Sequence, residues 1–401
     1  MLASRFDIRP AVAVQVLFVL FGIAIAAFFP FLALFLSDRG LSPKRIGVVI
    51  AAMALARMCS GPVWGHVADT SLGRRTTVQI GALGAAAVAV GLFLAEDEAV
   101  ILGLGFIFAV FSTTTGPNLD AIALEHLGQE RMREYGKIRG WESLSYAVSC
   151  LAIGFALERS SPAWAMPVYA AGSLAVFAWT FTLHHDRPTR LERHGRLGAV
   201  GAVFREAPRF WQFLLSLLLV WTGFNAAWNF IALKIERGGG GPLLVGVGAA
   251  LGGLVEVPVM RVSSSLGRSW GLRRVFVLGC SVYALGFLLW GLIDNPTILS
   301  LLTILEGVAF GLLFTTGVVV IGKMLPSFLY STGQSMWVTA SFGLAPILGA
   351  GIGGWAFERL GTVALYAGAS CLALAGAVVA WIALSDSDVA NPEARNVQPV
   401  P

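Results

Sequence analysis

The chain has 401 residues, of which 56% are hydrophobic and 13% charged, and its mean hydropathy is +0.76. The charged share is about half the roughly 25% of ordinary soluble domains, which excludes an ordinary soluble enzyme. A formal charge of +5 and a pI near 9.2 would suit nucleic acid, so the location of the charges has to decide.

Arg5 and Arg9 precede an apolar run from Ala11 to Leu36, far longer than the roughly 7 to 15 residues of a signal-peptide core. It reads as a first membrane span that is retained. At 1.5 Å rise per residue a span needs about 20 apolar residues. Twelve segments qualify: 11–36, 45–68, 76–95, 99–124, 138–158, 163–183, 210–234, 243–261, 275–293, 297–322, 334–357 and 362–384. Lys and Arg number 20 in the segments on the side of the N-terminus and 7 on the opposite side, with Arg57 inside the second span. Positive loops stay in the cytoplasm, so a multi-pass protein of the plasma (inner) membrane with both termini cytoplasmic is expected. That distribution explains the basic pI through the lipid bilayer, and no nucleic-acid partner is expected.

The division of the chain follows from charge and repetition. Six arginines fall in the linker 184–209, near the middle. G-F-A-L-E-R at 154–159 returns as G-W-A-F-E-R at 354–359, and V-A-D-T-S-L-G-R-R is echoed by V-S-S-S-L-G-R-S-W-G-L-R-R. Offsets near half the chain length indicate two parallel repeats. The expected fold is all-α, with twelve transmembrane helices in two pseudo-symmetric six-helix bundles. The N-terminal bundle covers 1–183, a basic cytoplasmic linker 184–209, the C-terminal bundle 210–384 and a disordered cytoplasmic tail 385–401.

Cys59, Cys150, Cys280 and Cys371 stand singly in apolar runs and read as packing residues. His184, His185 and His194 lie in the linker, and His66 and His126 at helix ends, so neither a metal site nor a cofactor is expected. The chain carries no Walker sequence, dinucleotide fingerprint or supported nucleophile elbow, and it reads as a non-enzyme without its own ATP chemistry.

Gly65-His66-Val67-Ala68-Asp69 followed by Gly73-Arg74-Arg75 lies between spans two and three. With twelve spans and a basic central loop, this motif resembles that of the major facilitator superfamily. Three residues separate Asp69 from Gly73 where the family usually has two, and Thr70 replaces a common basic residue. Y-G-K-I-R-G-W-E-S in span five, L-D-A in span four, A-R-M-C-S-G-P in span two and V-E-V in span eight resemble the branch containing phenylpropionate permeases and lactose permease. That resemblance implies that Asp120 and Arg139 hold substrate and that Glu256 joins binding to proton coupling. Asn225 and Asn229 replace aspartates of the lactose permease pattern, Tyr283 stands where an arginine would be, and Glu306 where the branch often has a histidine. Lactose itself is therefore disfavoured.

The residues can also be weighed on their own. Asp120 and Arg139 lie on consecutive antiparallel spans and can face each other, with Asn118 beside the helix-disturbing Gly116-Pro117. Alternatively, Arg139 continues the basic loop of Arg131, Arg133 and Lys137. Glu142 shares Arg139's helix face and either meets substrate or completes an ion-pair network, while Tyr146 brings aromatic surface towards the same cavity or serves ordinary helix packing. Arg57 lies roughly 18 Å along its helix from Asp69, near mid-membrane. It needs an anionic substrate or a buried acid opposite it.

In the second half, Glu256 and Glu306 are mid-span acids without a neighbouring mid-span cation. A carboxylate so placed is costly to keep charged and suits a proton carrier, or else is held neutral in the helix packing. Asn225, Trp228 and Asn229 form one stripe of span seven, able to bind a solute or to glue helices together. Asp69, Arg74 and Arg75 read as an inner gate or as loop anchors. The expected function is proton-coupled uptake of a small organic solute by a monomeric secondary transporter. An aromatic or other carboxylate is favoured, and a nucleoside or sugar comes next. Proton-linked efflux of drugs or metabolites, and a non-transporting membrane sensor, are the alternatives.

Overall fold

The computed structural model describes residues 10–127, 135–183 and 199–384, and among these every regular element is helical. The tail 385–401, the first part of the linker, and Arg131 and Arg133 lie outside the described residues. Among the described residues, eleven helices are long and apolar enough to cross a membrane. A bent pair, Val12–Phe28 with Leu32–Asp38 at 41°, makes a twelfth span. The protein is an all-α membrane protein of two pseudo-symmetric six-helix bundles.

Helix starts are legible residue by residue. Pro43, Pro162, Pro242 and Pro296 each stand in the first turn of a helix, where a missing N–H costs nothing. Asp97 caps span four, its Oδ1 accepting from Ala99 N at 2.9 Å and Val100 N at 3.1 Å. Several spans run past their apolar limits: span two covers Pro43–Leu72, span eight Pro242–Trp270 and span eleven Ser327–Arg359. Hydropathy marks only the lipid-facing stretch, whereas the backbone ladder continues into the polar ends.

Three apolar runs that read as single helices are broken. Span one breaks between Phe28 and Leu32, where Pro30 lacks an amide donor and its ring crowds the preceding turn. Span four divides into Glu98–Ser112 and Thr115–Leu127, so that Pro117 falls in a first turn. Span ten divides into Pro296–Leu301 and Thr303–Met324, and at the joint the Thr303 hydroxyl donates to Ser300 O at 2.7 Å.

The extra residue in the loop motif has a structural place. Ala68–Leu72 forms a π-helical turn, and Gly73 follows with φ 77°, a left-handed conformation that glycine adopts freely. Gly271, with φ 88°, ends span eight in the same way without a π turn. The extra residue of span two is thus absorbed by widening one turn of the helix.

The two halves pack alike. Span one lies against spans five and six as span seven lies against eleven and twelve. Two meets four and eight meets ten, while three meets four and six as nine meets ten and twelve. The halves join along two seams, span two with span eleven and span five with span eight. Within the linker, Ala199–Glu206 is a short helix packed against the start of span eleven. The end of the molecule opposite Pro10 and Ala383 is called distal below, and the other end proximal.

Candidate substrate and proton site

The hairpin of spans four and five brings Asp120, Arg139 and Glu142 together in the first half. An apolar cluster that includes Phe18, Leu119, Ile122 and Ile138 packs the hairpin against span one. On its polar face Arg139 Nη1 donates to Asp120 Oδ1 at 2.5 Å, and Tyr135 Oη donates to the same oxygen at 2.7 Å. Arg139 Nη1 is also 3.7 Å from Glu142 Oε2, too long for a hydrogen bond but within ion-pair range. The Arg139 and Asp120 side chains are 46% and 35% exposed, so water or solute reaches them, whereas Glu142 is 11% exposed and its Oε2 has no hydrogen-bond partner. Tyr135 precedes the membrane-crossing part of its helix. Burial, reinforced by its hydrogen bond to Asp120, pushes its phenol up to about 12, so it stays a donor at neutral pH.

The charge continues across the seam. Glu256 on span eight lies in the electrostatic reach of Arg139 and Glu142. Glu306 on span ten is 9% exposed, interacts with Glu256 and lies next to Tyr283. Gly252 makes room for it, since a Cβ there would sit 2.9 Å from Glu306 Oε2. Tyr146 lies against Gly253, where a Cβ would meet its ring at 3.5 Å. Asp120, Arg139, Glu142, Glu256 and Glu306 therefore form one row of ionisable groups running from the first half into the second. Arg139, the cation that acts on Glu256, comes from the other half of the molecule.

Arg57 occupies a different corner. Its guanidinium is 6.0 Å from the Phe28 ring centroid, and it lies beside Tyr169. Phe28, Phe108 and Tyr169 pack together with ring centroids 4.7 to 5.7 Å apart. Among the described residues no acid forms an ion pair with Arg57. The buried acid that could have neutralised it is not among them.

The asparagines turn back on their own helices. Asn225 Nδ2 donates to Trp221 O and Asn229 Nδ2 to Asn225 O, each at 2.8 Å, and Asn118 Nδ2 donates to Thr114 O at 2.7 Å. Each retains its side-chain oxygen as an acceptor and has one amide hydrogen engaged. Trp228 stacks between Phe224 at 6.0 Å and Phe29 at 6.1 Å, the latter from the opposite half.

At the proximal end, Arg74 pairs with Glu125 and lies 3.7 Å from Asp69. Arg75 Nη1 donates to Leu183 O at 2.8 Å with its guanidinium over Phe181, which ties span three to the end of span six within one half. Lys234, counted from the sequence as a distal-loop charge, is instead buried at 3% exposure. Its Nζ donates to Trp290 O at 2.6 Å and Gly291 O at 3.1 Å, and pairs with Asp294 at 3.2 Å. It caps the last carbonyls of span nine. A lysine inside I-A-L-K-I-E-R, an apolar stretch, was the signal for it.

These features have relatives. Residues 13–367 match the model of the MFS_1 like family. Maltose permease of Geobacillus stearothermophilus is 26% identical over 369 residues, covering 89% of this chain and 90% of that permease. The probable 3-phenylpropionic acid transporter of Escherichia coli (strain K12) is 23% identical over 283 residues, 70% and 73% of the two chains. The crystal structure of the nucleoside transporter NupG superposes with a TM-score of 0.80 at 16% identity, covering 94% of this chain and 98% of that one. A match over most of the chain, on a fold of twelve paired helices with ionisable groups buried along the seam, places the protein in the MFS_1 like family, as a membrane transporter of the major facilitator kind.

Proposed function

We propose that the protein is a secondary active transporter that takes up a small organic solute together with protons by alternating access. The row from Asp120 and Arg139 through Glu142 to Glu256 and Glu306 carries this reading. It joins the two halves electrostatically, so a change of charge at one end alters the interaction between them. Asp120 and Arg139, being reachable, hold substrate, and the more enclosed Glu256 and Glu306 load and release the proton. The excess of Lys and Arg at the proximal end supports a plasma-membrane orientation with that end and both termini on the cytoplasmic side. The transporter works as a monomer, because each seam is completed within one chain.

An aromatic or other small carboxylate is the favoured substrate. Arg57 offers a guanidinium unmatched by an acid among the described residues, set against aromatic rings, which suits a carboxylate and a ring together. A sugar or nucleoside is the second reading, supported by the half-buried Trp228 stack and by the similarity to maltose permease and the nucleoside transporter. Reconstituted vesicles test the proposal. Uptake under an inside-alkaline gradient should raise internal solute about tenfold per pH unit. The Glu256→Gln, Glu306→Gln double variant should lose this accumulation while still exchanging solute. Extrusion against the same gradient would make the protein an exporter, and binding without flux a sensor.

A further inference from the structure

We propose that Glu158 and Glu358 are gate residues, which hold the distal seams shut by capping the first turn of a helix in the opposite half. Glu158 Oε2 accepts from Leu243 N at 3.0 Å, and Glu358 Oε2 accepts from Lys44 N at 3.0 Å. The two bonds are equivalent. Each goes from the last turn of one span, five or eleven, to the second residue of a helix that begins with proline, eight or two.

The receiving helices lack this cap of their own. Ser42 and Gly241 occupy the N-cap positions, and neither makes a side-chain cap bond within its helix. An N-terminal amide of that kind is ordinarily satisfied by the helix's own cap residue. Here a carboxylate from across the seam supplies it, and its negative charge is favoured at the positive end of the helix dipole. On its own helix the same carboxylate sits at the C-terminal end, where the dipole disfavours it, so its placement is explained by the partner helix.

The glycines of the repeated G-x-A-x-E-R motif make the approach possible. A Cβ on Gly354 would lie 3.0 Å from the Cα of Gly47, and one on Gly154 would lie 3.2 Å from the Cα of Leu243 and 3.4 Å from that of Gly246. The same number of residues separates Pro43 from Pro242 and Gly47 from Gly246, so glycine faces glycine at both seams. A repeated glycine therefore brings two backbones together, and the glutamate one turn later closes a bond that exists only while they stay together. Movement of the halves apart at this end breaks both caps at once.

This inference rests on the alternating-access part of the proposed function but needs neither the substrate nor the proton assignment. It is tested with purified full-length protein without solute or gradient. Spin labels at Glu96→Cys and Val363→Cys, in a background lacking the native cysteines, report the distance between the distal ends of the two halves. The Glu158→Ala, Glu358→Ala variant should shift the ratio of distally closed to open molecules about 25-fold towards open, from about fivefold per lost cap. Adding Gly241→Asp to Glu158→Ala restores a cap from within span eight. It should leave the open population high, because the new cap does not join the halves. An unchanged distance distribution in the double variant, or full recovery with Gly241→Asp, overturns the proposal. If the double variant cannot be purified folded, the single Gln variants decide. They keep an acceptor without charge and should shift the ratio about two- to threefold, and no shift in either overturns the proposal.

Discussion

Spans two and eight are the same element used twice, and they part company in one place. Each begins with proline in its first turn, presents a glycine to the opposite half one turn later and ends in a left-handed glycine. Midway along, the spacing that relates Pro43 to Pro242 relates Arg57 to Glu256. One half thus holds a cation among aromatic rings where the other holds a carboxylate in a row of acids. The ends of these helices make the seam contacts, which are repeated in the two halves. Their middles carry the ionisable groups, which are not repeated.

That contrast can be broken in several ways. Arg139→Ala removes the cation that holds Asp120 and reaches the acids of the second half. Substrate binding by the purified protein should weaken about 100-fold or more. If binding is as tight as in the wild type, the hairpin is only a basic loop. Arg57→Gln sharpens the comparison itself. If Arg57 grips a carboxylate, KM for an organic acid should rise about 30-fold, with a neutral solute unaffected. An equal loss for both solutes would give Arg57 a packing role.

Lys234→Met leaves the Trp290 and Gly291 carbonyls without their buried donor and should cost about 2 kcal/mol of stability. The expected readout is a lowered Tm with KM unchanged. The smallest effect is that of Tyr135→Phe, which deletes one of the two donors to Asp120 and leaves Arg139 in place. Binding should weaken about fivefold or less, and a loss as large as that of Arg139→Ala would move the main substrate contact from the guanidinium to the phenol.

Much of this molecule is determined locally and could be read from residue order alone. A run of apolar residues finds hydrocarbon wherever its neighbours lie, so the twelve spans and the doubled architecture follow from hydropathy and repetition. The adjacency of Asp120 and Arg139 is equally local, since a hairpin brings its own ends together. Only the tertiary structure decided which distant groups meet. That Glu256 falls under the influence of Arg139 depends on how spans five and eight rotate against each other. So does the capping of span eight by Glu158 and of span two by Glu358. Lys234 looked like a loop charge because hydropathy cannot tell a side chain that reaches water from one that reaches two backbone carbonyls. Composition along a chain fixes where each helix lies in the bilayer, but the azimuth and close approach of helices are set by packing across the whole bundle, and the site exists only there.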